Sequence, residues 1–204
     1  MTGELTFVRK TGAGIAEVFD DLAGLRIVVF REYPYLYEGS VEYEKGYLQT
    51  YLQSERSFLF AVYAGGTMVG ATTCIPLADE TAEIRKPFQD AGFDVGSVFY
   101  FGESILLPAY RGIGLGHRFF DEREAHARSF NHFTTCCFCS VDRGDSHPLK
   151  PAHYRSNDAF WLKRGYKKEH VLQSTMEWPD LGQPVSTPKT MIFWTKLLND
   201  QPCK

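Results

Sequence analysis

Ile105-Leu-Leu-Pro-Ala-Tyr-Arg111-Gly-Ile-Gly114-Leu-Gly116-His-Arg118 is the stretch on which the reading of the fold turns. An apolar run ends at Pro108, crosses Gly112, Gly114 and Gly116, and enters a breaker-free segment from Leu115 to about Phe130 that carries Phe119, Phe120, Ala125 and Ala127. That pattern predicts a strand, a glycine-rich turn and a helix of about four turns. A turn of this kind aims unpaired backbone N–H groups at one point, and the helix dipole adds partial positive charge there. Glycines leave an anion's oxygens free to reach the amides, Arg111 and Arg118 add full charge, and a diphosphate is the natural guest.

Working back from this stretch, Ser97 to Leu107 reads as one strand. Ser57 to Tyr63 and Thr67 to Ile75 read as a hairpin joined by Ala64-Gly65-Gly66, where paired glycines supply the positive φ of a tight turn. Residues 79 to 94 form a polar interlude, helical in the middle. Leu5 to Arg9 reads as a first strand. Ile15, Val18, Phe19, Leu22, Leu25 and Val29 recur at helical spacing, as do Tyr47, Leu48, Tyr51 and Leu52 on a second helix. Working forward, Phe133 to Val141 reads as a buried strand, a short helix follows Ser156 or Asn157 and stops at Gly165, and Met191 to Leu198 closes as a strand. The order β, α, α, β, β, β, α, β, α, β predicts an α/β chain of α+β type: a mixed, mostly antiparallel sheet with helices on both faces.

With 204 residues, 44% hydrophobic and 23% charged, the chain has the makeup of one domain, expected over 1–204 with a core from about 5 to 166. A net charge of −3 gives no electrostatic reason to expect nucleic acid or an anionic membrane as partner. MTGELTFVRK lacks the basic start and apolar stretch of a signal peptide, so a cytoplasmic location is expected. The cysteine count is 5, and Cys136, Cys137 and Cys139 share the apolar run FTTCCFCSV. That suits reduced core thiols rather than a disulfide framework, and no second ligand pair follows Cys139, so no metal is expected.

The stretch from Arg111 to Gly116 resembles motif A of the GNAT acetyltransferases, [Q/R]-x-x-G-x-[G/A], matched at Arg111, Gly114 and Gly116. Downstream, Asn157-Asp-Ala159-Phe160-Trp161-Leu-Lys163-Arg-Gly165-Tyr166 is similar to the family's motif B. There Ala159 sits one place early and Trp161 occupies the usual tyrosine position. The resemblance implies a GNAT-like fold and an N-acetyltransferase that moves an acetyl group from acetyl-CoA to a primary amine by direct attack in a ternary complex. It places the pantetheine arm along Leu106 and Leu107, and the pyrophosphate on the amides of Gly112, Ile113, Gly114, Leu115, Gly116 and His117 between Arg111 and Arg118. Asn157 and Phe160 would flank the arm and the adenine end, and a backbone N–H near Leu107 would hold the oxyanion.

Glu103 interrupts an apolar strand, where a carboxylate costs stability unless it has a partner or a task. It reads either as the general base, as glutamates on this strand act in several relatives, or as a structural glutamate at a bulge near Gly102. The resemblance implies that the tyrosine of motif B protonates the leaving thiolate, and since the indole N–H of Trp161 does not ionise usefully, Tyr154 and Tyr166 are the candidates to replace it. His147 and His153 are further candidate bases.

The resemblance implies that the loop between the first two helices, here REYPYLYEGSVEYEKGY, shapes the acceptor pocket, and its rings with Glu38, Glu42 and Glu44 predict a small cationic amine or an amino-group-bearing metabolite as acceptor. More broadly, the partner expected is a small-molecule or protein amine, with homodimerisation left open. Two rival readings are a non-catalytic acyl-CoA sensor and a dinucleotide-dependent oxidoreductase. The second needs G-x-G-x-x-G, and position 117 is His.

Overall fold

In the computed structural model, which describes residues 4–198, seven strands form one sheet flanked by five α-helices. The elements are β1 (Leu5–Thr11), α1 (Phe19–Phe30), α2 (Val41–Gln53), β2 (Phe58–Ala64), β3 (Thr67–Pro76), α3 (Ala82–Asp90), β4 (Val98–Leu106), α4 (Leu115–Arg128), β5 (Thr135–Asp142), α5 (Asp158–Lys163), β6 (Lys167–Pro179) and β7 (Ser186–Leu197). The sheet order is β1-β2-β3-β4-β5-β7-β6, and β4 with β5 is its parallel pair. The mixed, mostly antiparallel sheet expected from the sequence is met. The Gly65 and Gly66 turn has φ of 57° and 82°, and it sets the β2/β3 register in which Ala64 faces Thr67.

Successive side chains of the central strands point to opposite faces, which is why β2 to β5 read as near-continuous apolar runs. Leu59, Ala61, Tyr100, Ile105 and Cys137 face α1, α2 and α3, where they pack with Leu22, Leu48, Tyr51 and Phe88. Phe60, Val62, Phe99, Phe101, Cys136 and Phe138 face α4, where they pack with Phe119, Phe120, Tyr166 and Trp194. The thiols of Cys136 and Cys137 are thus small core groups on a strand covered on both sides, and burial pushes both pKa values up.

Three departures from the sequence reading have physical causes. The first helical stretch divides: Gly12–Val18 is a 3-10 turn, and α1 begins only at Phe19, after Val18 leaves helical geometry at φ −122°. The last strand starts earlier than Met191, at Ser186. Strand β6 has no counterpart in the sequence reading. It is an edge strand in which Leu172, Ser174 and Trp178 turn inward and Val171, Gln173, Thr175 and Glu177 outward, and its polar start from Lys167 to His170 together with the inward Ser174 blurs that alternation in the sequence.

Candidate active site

The site is made by the way β4 leaves its neighbour. Pairing of β4 with β5 covers only Val98–Thr135, Phe99–Cys136 and Tyr100–Cys137. Immediately beyond, the β3/β4 register slips: Phe101 faces Cys74 and Ser104 faces Thr72, so Gly102 and Glu103 together oppose Thr73. This bulge bends β4 and opens a cleft of about 300 Å³ lined by Glu103 and Ser104 on one side, Cys139 and Ser140 on the other, and Tyr154 and Asn157 beyond. Gly102 is required there, because a Cβ would stand 2.1 Å from the Tyr51 hydroxyl and 2.6 Å from Thr73 Oγ1.

The backbone facing the cleft follows from ladder alternation. Leu107 N–H donates to Val69 O at 2.9 Å, across β3, so its amide is spent and cannot serve an oxyanion as expected from the resemblance. Gly70 faces Leu106 and Thr72 faces Ser104 in the alternate, non-bonded positions, which turns the Ser104 and Leu106 peptide groups toward the cleft. Arg111 does not reach over the glycine turn. Its guanidinium folds back to donate to Leu106 O from Nε (3.0 Å) and Nη2 (2.9 Å), and Nη1 pairs with Glu32 at 2.8 Å.

Past the end of β4, Gly112 and Gly114 have φ of 79° and 91°, a region that L side chains rarely adopt, and α4 starts directly after Gly114. The N–H groups from Gly112 to His117 have no hydrogen-bond partner among the described residues; the next, Arg118 N–H, donates to Gly114 O. Successive unpaired donors at the positive end of a helix fit a doubly charged linker. Gly116 differs from the other two: a Cβ there would meet Phe160 at an ordinary 3.7 Å. Arg118 lies over the Phe7 ring at 3.7 Å, and Phe160 packs edge-on against His117 at 4.9 Å. Of the motif B residues, Asn157 lines the cleft and Phe160 borders the amide cradle.

Glu103, 4% exposed, belongs to a buried cluster that spans three elements. Its carboxylate pairs with Arg26 from α1 and accepts from Thr73 Oγ1 at 3.0 Å, while Glu44 from α2 holds the other side of the same guanidinium. Burial raises the pKa of Glu103, with Arg26 opposing the rise. Burial also works against the charge on Arg26, yet Glu103 and Glu44 overcome it and hold the guanidinium above its ordinary value. Glu103 is thus a residue of the bulge held in a buried ion cluster, and it also lines the cleft.

The two tyrosines part company. Tyr154 lines the cleft, edge-on to Tyr33 at 4.6 Å, and burial raises its pKa. Tyr166 is 1% exposed on the α4 side, where its hydroxyl donates to Glu124 Oε1 at 3.1 Å and meets Cys136 Sγ at 3.3 Å. It is a core residue, and the expectation of an acid at that position is corrected accordingly. Trp161 wedges between Phe138 and Trp194, at 5.0 Å from each ring. His147 packs near Tyr33, and neither it nor His153 lines the cleft.

Arg26, Thr73 and Arg123 are residues around the site that the sequence reading missed, and Glu44, read there as a carboxylate that draws the acceptor, is instead buried against Arg26. A signal existed for two of them. Arg26 follows Leu22 by four residues on the buried stripe of α1, and Glu44 precedes Leu48 and Tyr51 on that of α2. A charge on an apolar stripe calls for a partner on another element. Arg123, buried on α4 between Phe101 and Phe120, reaches Glu103 O at 3.5 Å and braces the bulge from the opposite face.

Among the described residues no group of His, Cys, Asp and Glu is placed to hold a metal ion, and no helix is long and apolar enough to cross a membrane. A doubly wound parallel sheet, which the dinucleotide reading requires, is not the sheet found here.

No family model matches the chain, and no curated protein matches it by sequence. Solved structures do match in shape. An N-acetyltransferase from Staphylococcus aureus Mu50 superposes with a TM-score of 0.60 at 10% identity, covering 96% of this chain and 99% of that one. A GNAT-family acetyltransferase from Streptococcus pneumoniae gives 0.54 at 14%, covering 95% and 99%. The ribosomal-protein-S18-alanine N-acetyltransferase from Escherichia coli gives 0.55 at 13%, covering 96% and 94%.

Proposed function

We propose, from the GNAT fold that this chain shares with those acetyltransferases, that it moves an acetyl group from acetyl-CoA to a primary amine. One observation carries the reading: a run of unpaired amides from Gly112 to His117 opens the helix that follows β4, the strand whose bulge opens the cleft. The run matches a pyrophosphate, and the Ser104 and Leu106 peptide groups offer an extended arm a strand edge to pair with. For that pairing, Arg111 must release Leu106 O.

When bound, acetyl-CoA supplies an activated thioester carbonyl and a thiolate leaving group. The chain's own residues handle protons and charge. An alkylamine with a pKa near ~10.4 is mostly protonated at neutral pH and needs a base before it can attack. Glu103, its basicity raised by burial, takes that proton on a carboxylate oxygen. Arg26 and Thr73 fix the orientation of the carboxylate. Whichever of the cleft-facing Ser104 and Leu106 N–H groups the extended arm leaves unpaired is the donor available to a developing oxyanion. Tyr154 Oη is the cleft hydroxyl that can return a proton to the departing sulfur.

Titration calorimetry with acetyl-CoA, followed by thiol release over a panel of amines, tests the reading. Binding in the micromolar range together with amine-dependent thiol release is the expected result. Absence of heat would remove the coenzyme assignment, and heat without thiol release from any amine would favour the sensor.

A further inference from the structure

Arg123 differs from the other buried charges in having no counter-ion. It is 2% exposed, its guanidinium lies over the Phe101 and Phe120 rings at 4.4 and 4.5 Å, and it makes no ion pair among the described residues. The carboxylate next to it in the chain, Glu124, is held by Arg128, Arg164 and Lys196. Burial works against the charge and lowers the pKa of Arg123. A buried guanidinium without a carboxylate costs stability unless it has a task, and this one lines the cleft.

What Arg123 touches suggests the task. Its Nη1 lies 3.5 Å from Glu103 O, the carbonyl that also accepts from Thr72 Oγ1 at 2.6 Å. With the Thr72 proton committed there, Ser104 Oγ, 2.9 Å away, is the donor to Thr72. Glu103 O belongs to the same peptide unit as Ser104 N–H. In a trans peptide the two groups point opposite ways, so a carbonyl held on the far side turns that N–H toward the cleft. Positive charge and a donor at the oxygen also polarise the unit and make the N–H a stronger donor. Resting on the transferase reading, we propose that Arg123 and Thr72 are positioning residues that fix and polarise the Glu103–Ser104 peptide, making Ser104 N–H the donor to the developing oxyanion.

The direction of entry separates Ser104 from Leu106. The amide cradle follows the C-terminal end of β4, so an arm running inward from it meets Leu106 first and Ser104 deeper, where its acyl end comes level with Glu103. Leu106 is then the peptide that pairs with the arm, and Ser104 N–H is left for the acyl oxygen. As the amine nitrogen bonds to the acyl carbon, the carbonyl electron pair moves onto that oxygen and stays there until the C–S bond breaks, while the amine proton goes to Glu103. A donor fixed beforehand by Arg123 and Thr72 meets this charge without reorganising.

Isotope-edited infrared spectra of bound acetyl-CoA test this without any acceptor, because the thioester C=O stretch falls when a strong donor meets its oxygen. In the wild type the stretch is expected below that of free acetyl-CoA. Arg123→Met keeps the length and the ring contacts, and Thr72→Val keeps the shape. Each should return the stretch toward the free value and change acetyl-CoA affinity, read by calorimetry, by less than about threefold. With an amine that is turned over, kcat should fall about tenfold in each. Arg123→Lys keeps the charge and should recover most of the wild-type shift. Should Arg123→Met fail to fold, Thr72→Val decides. A wild-type stretch at the free value, or an unmoved stretch in the variants, would overturn the proposal. Absence of acetyl-CoA heat in the wild type would instead remove the coenzyme reading, and the proposal with it.

Discussion

Thr73 and Glu103 face one another across the β3/β4 ladder at the bulge, with Thr73 Oγ1 donating to Glu103 Oε1 at 3.0 Å. Because this bond favours the ionised carboxylate, it works with Arg26 against the rise that burial imposes.

A base must be ionised to act, so activity should climb as pH rises through the Glu103 pKa, on a limb above the ordinary carboxylate range. Thr73→Val removes one stabilising donor and should move that limb upward by about one pH unit, with little change on the plateau. Glu103→Gln should lower turnover by about a hundredfold or more on the plateau and abolish the acid limb, so that the gap to wild type narrows at low pH. A pH profile of kcat/KM for both variants checks this, and an unshifted limb in Thr73→Val would detach Glu103 from the profile.

The glycines of the turn separate by cause. Gly112 and Gly114 need positive φ, so Gly114→Val carries strain of about 1–3 kcal/mol or reshapes the turn, and acetyl-CoA affinity should fall at least about tenfold. Gly116→Ala adds a methyl at an ordinary distance from Phe160 and should change affinity by less than about threefold. Calorimetry on the two variants checks the contrast.

The tyrosines give an activity–stability pair. Tyr166→Phe deletes a buried hydroxyl bound to Glu124 and Cys136, so it should cost about 1 kcal/mol of stability and leave kcat near wild type. Tyr154→Phe should leave stability unchanged and lower kcat if the cleft hydroxyl protonates the sulfur. Urea unfolding and steady-state kinetics on both proteins separate the roles, and a large kcat loss in Tyr166→Phe would reverse them.

How much of this could be read beforehand follows from how local each feature is. The amide cradle was legible, because its glycines, the strand before it and the helix after it lie within one short stretch. The two covered faces were legible in the apolar runs of β2 to β5. Strand β6 was not, since its polar start from Lys167 to His170 and an inward-facing Ser174 break up the apolar alternation of Leu172, Met176 and Trp178. The Arg26, Glu44 and Glu103 cluster was hidden for another reason: it joins α1, α2 and β4, and only the packing of those helices on the sheet brings the charges together. Tyr154 and Tyr166 looked equivalent by sequence position, and the direction in which β6 leaves α5 decides which of them meets the cleft.

Glu80 carries a prediction about the fold itself. It is buried beside the same cluster, with its carboxylate accepting from Thr81 N–H at 2.9 Å, and burial pushes its pKa from the ordinary 4.5 up to about 7. Below pH 4.5 the folded and unfolded chains both hold the proton, and the contribution of Glu80 to stability is fully present. Between 4.5 and about 7 the unfolded chain has released the proton and the fold retains it, so stability falls as pH rises, with a slope approaching about 1.4 kcal/mol per pH unit. Glu103, also raised, adds a fall of the same sign. Glu80→Gln keeps the neutral shape at all pH, so its stability should decline less than wild type between pH 5 and 8 and exceed it at the alkaline end. Urea unfolding midpoints across that range decide the matter: parallel curves for the two proteins would mean that Glu80 is ionised in the fold.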